Sequence, residues 1–256
     1  MALQRPPAWY VISLRPQGEH AGMRQAARRH GATLLALSPW RLQALDDPGT
    51  RTRLRQTLRT KFVLFTSPAA VRFAHDLQPL KADAGQTWLA VGGGTAAALR
   101  RCGIADVRAP ARMDSEGLLD LPELQQLREQ ELGLVTAPEG RDLLASTLAE
   151  RGARLLRAEV YRREPIALAP AAVETLCAMS APACLLLSSS GALAHVLDRL
   201  PADLAVRLRK TTVIAASARL MQYAQEAGFT DTVLAAGPRP AQMLSAAEDA
   251  ILRRFR

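Results

Sequence analysis

Three observations predict an α/β protein of two lobes, each a parallel sheet flanked by helices. Short apolar runs alternate with helix-period segments, proline and glycine stand where helices begin and end, and an internal similarity recurs in the same order. The apolar runs are Tyr10 to Leu14, Leu34 to Leu37, Phe62 to Phe65, Trp88 to Val91, Leu134 to Val135, Leu185 to Leu187 and Val213 to Ala215. Their spacing is the rhythm of β-α units around parallel sheets. Ser67-Pro68 offers an N-cap followed by proline at the first helical position, and Gly31, Gly103, Gly152 and Gly228 fall just past helical stretches.

The internal similarity has three parts. His30-Gly31-Ala32-Thr33-Leu34-Leu35 answers Arg151-Gly152-Ala153-Arg154-Leu155-Leu156; Phe62 to Ser67 answers Cys184 to Ser189; and Gly103 to Val107 answers Gly228 to Val233. Taken alone, this order suggests tandem halves divided near residue 125, each the size of a small sheet covered by helices. Crossings between lobes are expected near Pro39-Trp40-Arg41 and near Tyr161 to Pro165, where proline suits an edge or linker position.

The bulk composition narrows the classes of function. With 256 residues, 48% hydrophobic and 22% charged, the chain is long enough to bury proper cores without staples. Cys102, Cys177 and Cys184 are odd in number, lack metal-ligand spacing and have apolar neighbours, so a reducing cytoplasm is the expected compartment. Met1 to Pro7 shows no basic segment followed by an apolar stretch, and no apolar run approaches a membrane span, so neither secretion nor a membrane partner is expected. The net charge of +9 raises the possibility of nucleic acid. However, the arginines are scattered, aromatics are only 4%, and Lys61, Lys81 and Lys210 are the only lysines. An arginine-favouring composition explains the excess more simply, and a soluble polycarboxylate also fits it.

The loops expected after the strands share a character. Thr66-Ser67-Pro68, Gly92-Gly93-Gly94-Thr95, Pro138 to Arg141, Ser188 to Gly191 and Ala216 to Arg219 are rich in small residues and hydroxyls. Such loops present main-chain donors to carboxylates or phosphates at the ends of parallel strands. Any one of them is an ordinary N-cap, but five together point to a ligand crevice. Gly92 to Gly94 lacks the full dinucleotide fingerprint, Ser188 to Ser190 lacks a nucleophile elbow, and His20, His30, His75 and His195 show no paired metal-ligand spacing. Tyr161, one of three tyrosines, stands where the chain is expected to leave one lobe; it either seals a strand end or presents a phenol to a ligand. Arg15 and Arg141 can pair with carboxylates through their planar forks or remain solvated.

These loops resemble the uroporphyrinogen-III synthase family from Tyr10 to about Leu244. The likeness is carried by Arg15-Pro16, Phe65-Thr66-Ser67-Pro68-Ala69-Ala70-Val71, Val91-Gly92 with Thr95-Ala96, and Ser115-Glu116-Gly117-Leu118-Leu119. It continues in Gly140-Arg141 with Leu144, Arg151-Gly152-Ala153, Val160-Tyr161-Arg162-Arg163, Ala216-Ser217 with Arg219-Leu220, and Gly228-Phe229. Each piece is short; the order and spacing are the specific signal. The resemblance implies two flavodoxin-like lobes joined by two linker strands. The first comprises 1–38 with 167–256 and the second is inserted as 41–162, in place of tandem halves.

It further implies a monomeric cytoplasmic enzyme that closes hydroxymethylbilane to uroporphyrinogen III with loss of water and inversion of the last pyrrole, needing neither metal nor organic cofactor. Tyr161 is then the candidate to assist hydroxyl departure. Arg15, Thr66, Ser67, Gly92, Thr95, Gly140, Arg141, Ser188, Ser189, Ser217 and Arg219 are candidates to hold the substrate. Leu14 where threonine often precedes Arg-Pro, and Ala137-Pro138-Glu139 in place of a glycine-rich approach, depart from the family pattern. The alternatives are a two-lobed binding or sensor protein and a catalytically weakened relative.

Overall fold

The computed structural model describes residues 9–110, 115–138 and 142–254. In chain order it begins β1 (Trp9–Ser13), α1 (Ala21–Arg29), β2 (Ala32–Ala36), β3 (Trp40–Ala44), α2 (Pro48–Thr57), β4 (Phe62–Phe65) and α3 (Pro68–Leu77). Next come β5 (Thr87–Ala90), α4 (Gly93–Arg101), β6 (Val107–Arg108), α5 (Ser115–Leu119), β7 (Glu131–Thr136), α6 (Asp142–Glu150), β8 (Arg154–Glu159) and β9 (Tyr161–Pro165). The chain ends with α7 (Pro170–Ala178), β10 (Ala183–Leu187), α8 (Ser190–Arg199), α9 (Ala202–Arg209), β11 (Thr212–Ala215), α10 (Ala218–Glu226), β12 (Thr232–Leu234) and α11 (Pro240–Arg253).

Two compact units result, one from Met1–Arg41 with Glu164–Arg256 and the other from Leu42–Arg163. Their sheets run β12-β11-β10-β1-β2 and β6-β5-β4-β7-β8, parallel at every paired register. Numbered along its own strands, the first sheet has the flavodoxin-like order 2-1-3-4-5. The second has the same spatial order with its chain start moved, β4 standing where β10 does and β7 where β1 does. This is why the internal similarity alternates between units. The segment around Gly31 belongs to the first unit and its counterpart around Gly152 to the second, while the segment at Phe62 belongs to the second and its counterpart at Cys184 to the first. A tandem split near residue 125 does not describe this chain. Gly31 and Gly152 have φ of 69° and 88°, the left-handed turn that lets each helix end and the next strand start at once.

The crossings fall at Arg41 to Leu42 and Arg163 to Glu164, inside β3 and β9. These strands form a separate two-stranded sheet. Leu45 N–H donates to the Val160 carbonyl and Ile166 N–H to the Pro39 carbonyl, so the pair runs antiparallel.

The continuous apolar runs reflect sheets covered on both faces. Along β1, Trp9 and Val11 join one core with Cys184 and Leu186, while Ile12 joins the opposite core with Leu185 and Leu187. In the second unit Val63 and Phe65 pack with Val135 on one face, and Phe62 and Leu64 with Leu132 and Leu134 on the other. Cys184 is buried and its thiol is pushed up to about 12 by that burial, so it serves as packing and not as a nucleophile at neutral pH. No described helix is long and apolar enough to cross a membrane.

Candidate active site

The fold brings the predicted residues to equivalent places in the two units. In the first unit the loops after adjacent strands β11, β10 and β1 carry Ser217 with Arg219, Ser188 with Ser189, and Arg15. In the second, Gly92 with Thr95 follows β5, and Thr66 with Ser67 follows its neighbour β4. Gly140 and Arg141 lie outside the described residues. In each sheet the strand order reverses between two of these strands, β1 and β10 or β7 and β4. Open α/β sheets leave room for ligands at such a point, beyond the carboxyl ends.

Three of the serines cap helices. Ser67 Oγ accepts from Ala70 N–H at 3.0 Å, Ser189 Oγ from Ala192 N–H at 3.3 Å, and Ser217 Oγ from Leu220 N–H at 3.4 Å. Each cap orients the first turn of α3, α8 or α10 at a strand end and leaves main-chain N–H groups of that turn without helical partners. Ser188, Ser217 and Arg219 are exposed, and Arg15 and Ser189 are half-buried. Thr95 is 2% exposed. Burial lowers the Arg15 pKa from its ordinary value, and the Glu19 charge opposes that shift.

The sharpest constellation surrounds Tyr161 in the second unit. The residue is 4% exposed and belongs to the core that includes Phe65 and Val135. Phe73, on α3, stacks on it with centroids 5.2 Å apart and planes 15° from parallel. Its hydroxyl lies 3.1 Å from Ser67 Oγ. Behind this pair, Thr66 Oγ1 donates to Thr136 Oγ1 at 2.9 Å, and the Thr136 carbonyl accepts from Val160 N–H at 3.1 Å. The end of β4, the end of β7 and the start of β9 are thereby tied together next to the phenol.

Thr136 and Phe73 were not singled out from the sequence. Thr136 had a signal, since Leu134-Val135-Thr136 repeats the apolar-apolar-threonine ending of Leu64-Phe65-Thr66, and Phe65 pairs in register with Val135. Phe73 had none beyond its place on the inner face of an amphipathic helix.

A second polar group, in the first unit, was also missed. His20 is buried, with Nδ1 3.1 Å from Ser13 Oγ and Nε2 2.8 Å from Ser38 Oγ. Burial foremost, then the charges of Arg24 and Arg15, lowers its pKa to about 4. The unfolded chain protonates this imidazole near 6.5, so between those limits the unfolded state holds the extra proton and stability falls as pH falls. Urea unfolding should show a loss of about 2 kcal/mol between pH 7 and pH 5 that His20→Gln lacks. Equal pH dependence in the two proteins would remove His20 as the cause.

His75 and His195 are occupied structurally. His75 Nδ1 accepts from Leu80 N–H, and His195 meets Trp40 edge-on with ring centroids 5.8 Å apart. Among the described residues no group of three or more His, Cys, Asp or Glu could hold a metal ion.

Two open parallel sheets, one of flavodoxin-like order and one with the same spatial order and a moved chain start, each with hydroxyl- and glycine-rich loops at its carboxyl edge, define a two-domain α/β protein. Comparison with known proteins then identifies the family. The model of the family described as uroporphyrinogen-III synthase HemD matches residues 21–245, most of the chain. The chain belongs to the uroporphyrinogen-III synthase family. The uroporphyrinogen-III synthase of Salmonella typhimurium is 37% identical over 123 residues, which cover 45% of this chain and 49% of that protein. The match thus spans about half the length of that curated relative. A mutant uroporphyrinogen III synthase of Thermus thermophilus shares the fold, with 20% identity, 96% of this chain and 99% of that one covered, and a TM-score of 0.62. So does the uroporphyrinogen-III synthetase of Helicobacter pylori, with 18% identity, coverage of 94% and 99%, and a TM-score of 0.58.

Proposed function

We propose that this chain converts hydroxymethylbilane to uroporphyrinogen III, expelling the terminal hydroxyl as water, inverting the last pyrrole ring and closing the macrocycle. Family membership supports the reaction class. The observation that carries the proposal to particular atoms is Tyr161, a phenol held by the Phe73 stack and the Ser67 hydrogen bond at the carboxyl edge of a parallel sheet.

The chemical problem is one of shape. The activated substrate can cyclise unaided to the uninverted isomer, so the enzyme must hold the chain in the productive conformation while the hydroxyl leaves. Carboxylates suit the first turns of α3, α8 and α10, where free N–H groups and the positive helix ends coincide. In the first unit Ser188, Ser189, Ser217, Arg219 and Arg15 are the candidates for such contacts. In the second unit Gly92, Gly140 and Arg141 are the candidates for such contacts, with Thr66 and Thr95 supporting its loops. The net charge of +9 draws a polyanion towards the protein. On this reading the enzyme is a cytoplasmic monomer and works without metal or organic cofactor.

Expression of this chain in a bacterium deleted for its own uroporphyrinogen-III synthase tests the proposal. Restored haem-dependent growth is the expected result. Failure to restore growth with soluble protein present would favour the binding or sensor alternative.

A further inference from the structure

We infer that Ser67 is a second reacting group, and that the proton supplied by Tyr161 reaches the substrate through the Ser67 hydroxyl. This rests on the assignment of Tyr161 proposed above and deepens it. A serine hydroxyl has one hydrogen and two lone pairs. One lone pair of Ser67 is taken by Ala70 N–H at 3.0 Å, because Ser67 caps α3. Tyr161 Oη lies 3.1 Å away and has two ways to bond. Either the phenol donates to the second lone pair and leaves the serine hydrogen for a substrate, or the serine donates inward and the phenol must reach the substrate itself.

Burial decides between them. Tyr161 is 4% exposed, with Phe73 on its ring and the unit's core around it, whereas Ser67 is half-buried at the start of α3. Of the two residues Ser67 is the more exposed. Ser67 therefore accepts from Ala70 and Tyr161 and donates outward, and the positive end of α3 favours release of its proton.

In the resulting step the substrate's C–O bond breaks with its electron pair going to oxygen. The Ser67 proton converts the leaving hydroxyl to water, and the Tyr161 proton replaces it on Oγ. The methylene carbon is left as a cation delocalised into its pyrrole, and Tyr161 as phenolate. The cation bonds to the bridged α carbon of the last pyrrole, the old bond from that carbon to its methylene bridge breaks, and the bridge carbon bonds to the ring's free α carbon, which loses its hydrogen; that proton returns to the phenolate, again through Ser67. Atoms and charge balance without a co-reactant. This role differs from that of a carboxylate anchor, which would hold the substrate equally before and during the reaction.

The test is steady-state kinetics with hydroxymethylbilane for the wild type, Ser67→Gly, Ser67→Thr, Tyr161→Phe and the Ser67→Gly/Tyr161→Phe double variant, with a solvent-deuterium proton inventory on the wild type. Glycine is tolerated at an N-cap, so Ser67→Gly removes the hydroxyl with little cost to α3. Each of Ser67→Gly and Tyr161→Phe should lower kcat about 100-fold with KM changed by less than about threefold. The double variant should be no slower than the slower single, Ser67→Thr should retain most activity, and the inventory should curve as two moving protons require. Multiplying effects in the double variant, or a raised KM with unchanged kcat in Ser67→Gly, would overturn the relay while leaving the proposed activity standing. A wild type that forms no isomer III would overturn both. Should Ser67→Gly fail to fold, the inventory decides, and a linear one overturns the relay.

Discussion

Tyr161→Phe should lower turnover about 100-fold while the protein stays folded, the loss expected when a positioned proton donor is removed. The substitution deletes one oxygen and keeps the ring, so the stack on Phe73 at 5.2 Å and the packing against Phe65 and Val135 survive. What disappears is the bond to Ser67 at 3.1 Å, and a single neutral hydrogen bond contributes about 1 kcal/mol to stability. Activity and stability should therefore separate: a large fall in kcat, a small shift in urea midpoint, and little change in KM, because the phenol is not a carboxylate contact. Turnover within about twofold of wild type would show that the hydroxyl leaves without this phenol and would return Tyr161 to the role of an aromatic sealing a strand end.

The largest effect on stability is expected at Gly133, far from any proposed chemistry. It lies inside β7, paired with Val63 on one side and Leu156 on the other, and its N–H donates to Thr60 Oγ1 at 3.0 Å. A Cβ placed there would stand 2.2 Å from the Thr57 carbonyl oxygen, 2.7 Å from Thr60 Oγ1 and 2.8 Å from Thr57 Cγ2. The nearest of these is backbone at the end of α2, so no side-chain rotation relieves the clash. Either α2 lifts from the sheet or β7 bends away from β4.

Overpacking of this kind costs about 3 kcal/mol, so Gly133→Ala should lower the melting temperature by on the order of 5–10 °C. Gly22→Ala in α1 is the contrasting control, since its added Cβ meets nothing within 4 Å and alanine favours the helix. Equal melting temperatures for wild type and Gly133→Ala would mean that α2 does not pack closely on β7.

How much of this was legible beforehand follows from the range of each signal. Strands such as Phe62–Phe65 and Ala183–Leu187 were readable because both faces of a covered parallel sheet demand apolar residues, which leaves an unbroken run. The Ser67-Pro68 helix start was readable because capping is local, and the cap is present. The edge strand Val107–Arg108 has two residues and no run to detect. The assignment of the repeated segments to sheets was not local either, because β1 pairs with β10 across most of the chain. That pairing entered the sequence reading only through the family resemblance.

The candidate site divides in the same way. Loops at strand ends were recognisable by their small and hydroxyl residues, and Tyr161 by its position and rarity. Its partners were not. Ser67 and Tyr161 are 94 residues apart in sequence and meet only because β9 begins beside the end of β4. The Ser13, His20 and Ser38 group likewise depends on β1 and β2 lying side by side. Composition suggests which residue types can bind, whereas a hydrogen bond between distant residues is a property of topology.

The most direct test of the central proposal is to supply the purified protein with freshly prepared hydroxymethylbilane, oxidise the products to porphyrins and separate the isomers by chromatography. A clear excess of isomer III over a buffer control is the expected result. Isomer I alone, formed at the rate seen in buffer, would contradict it.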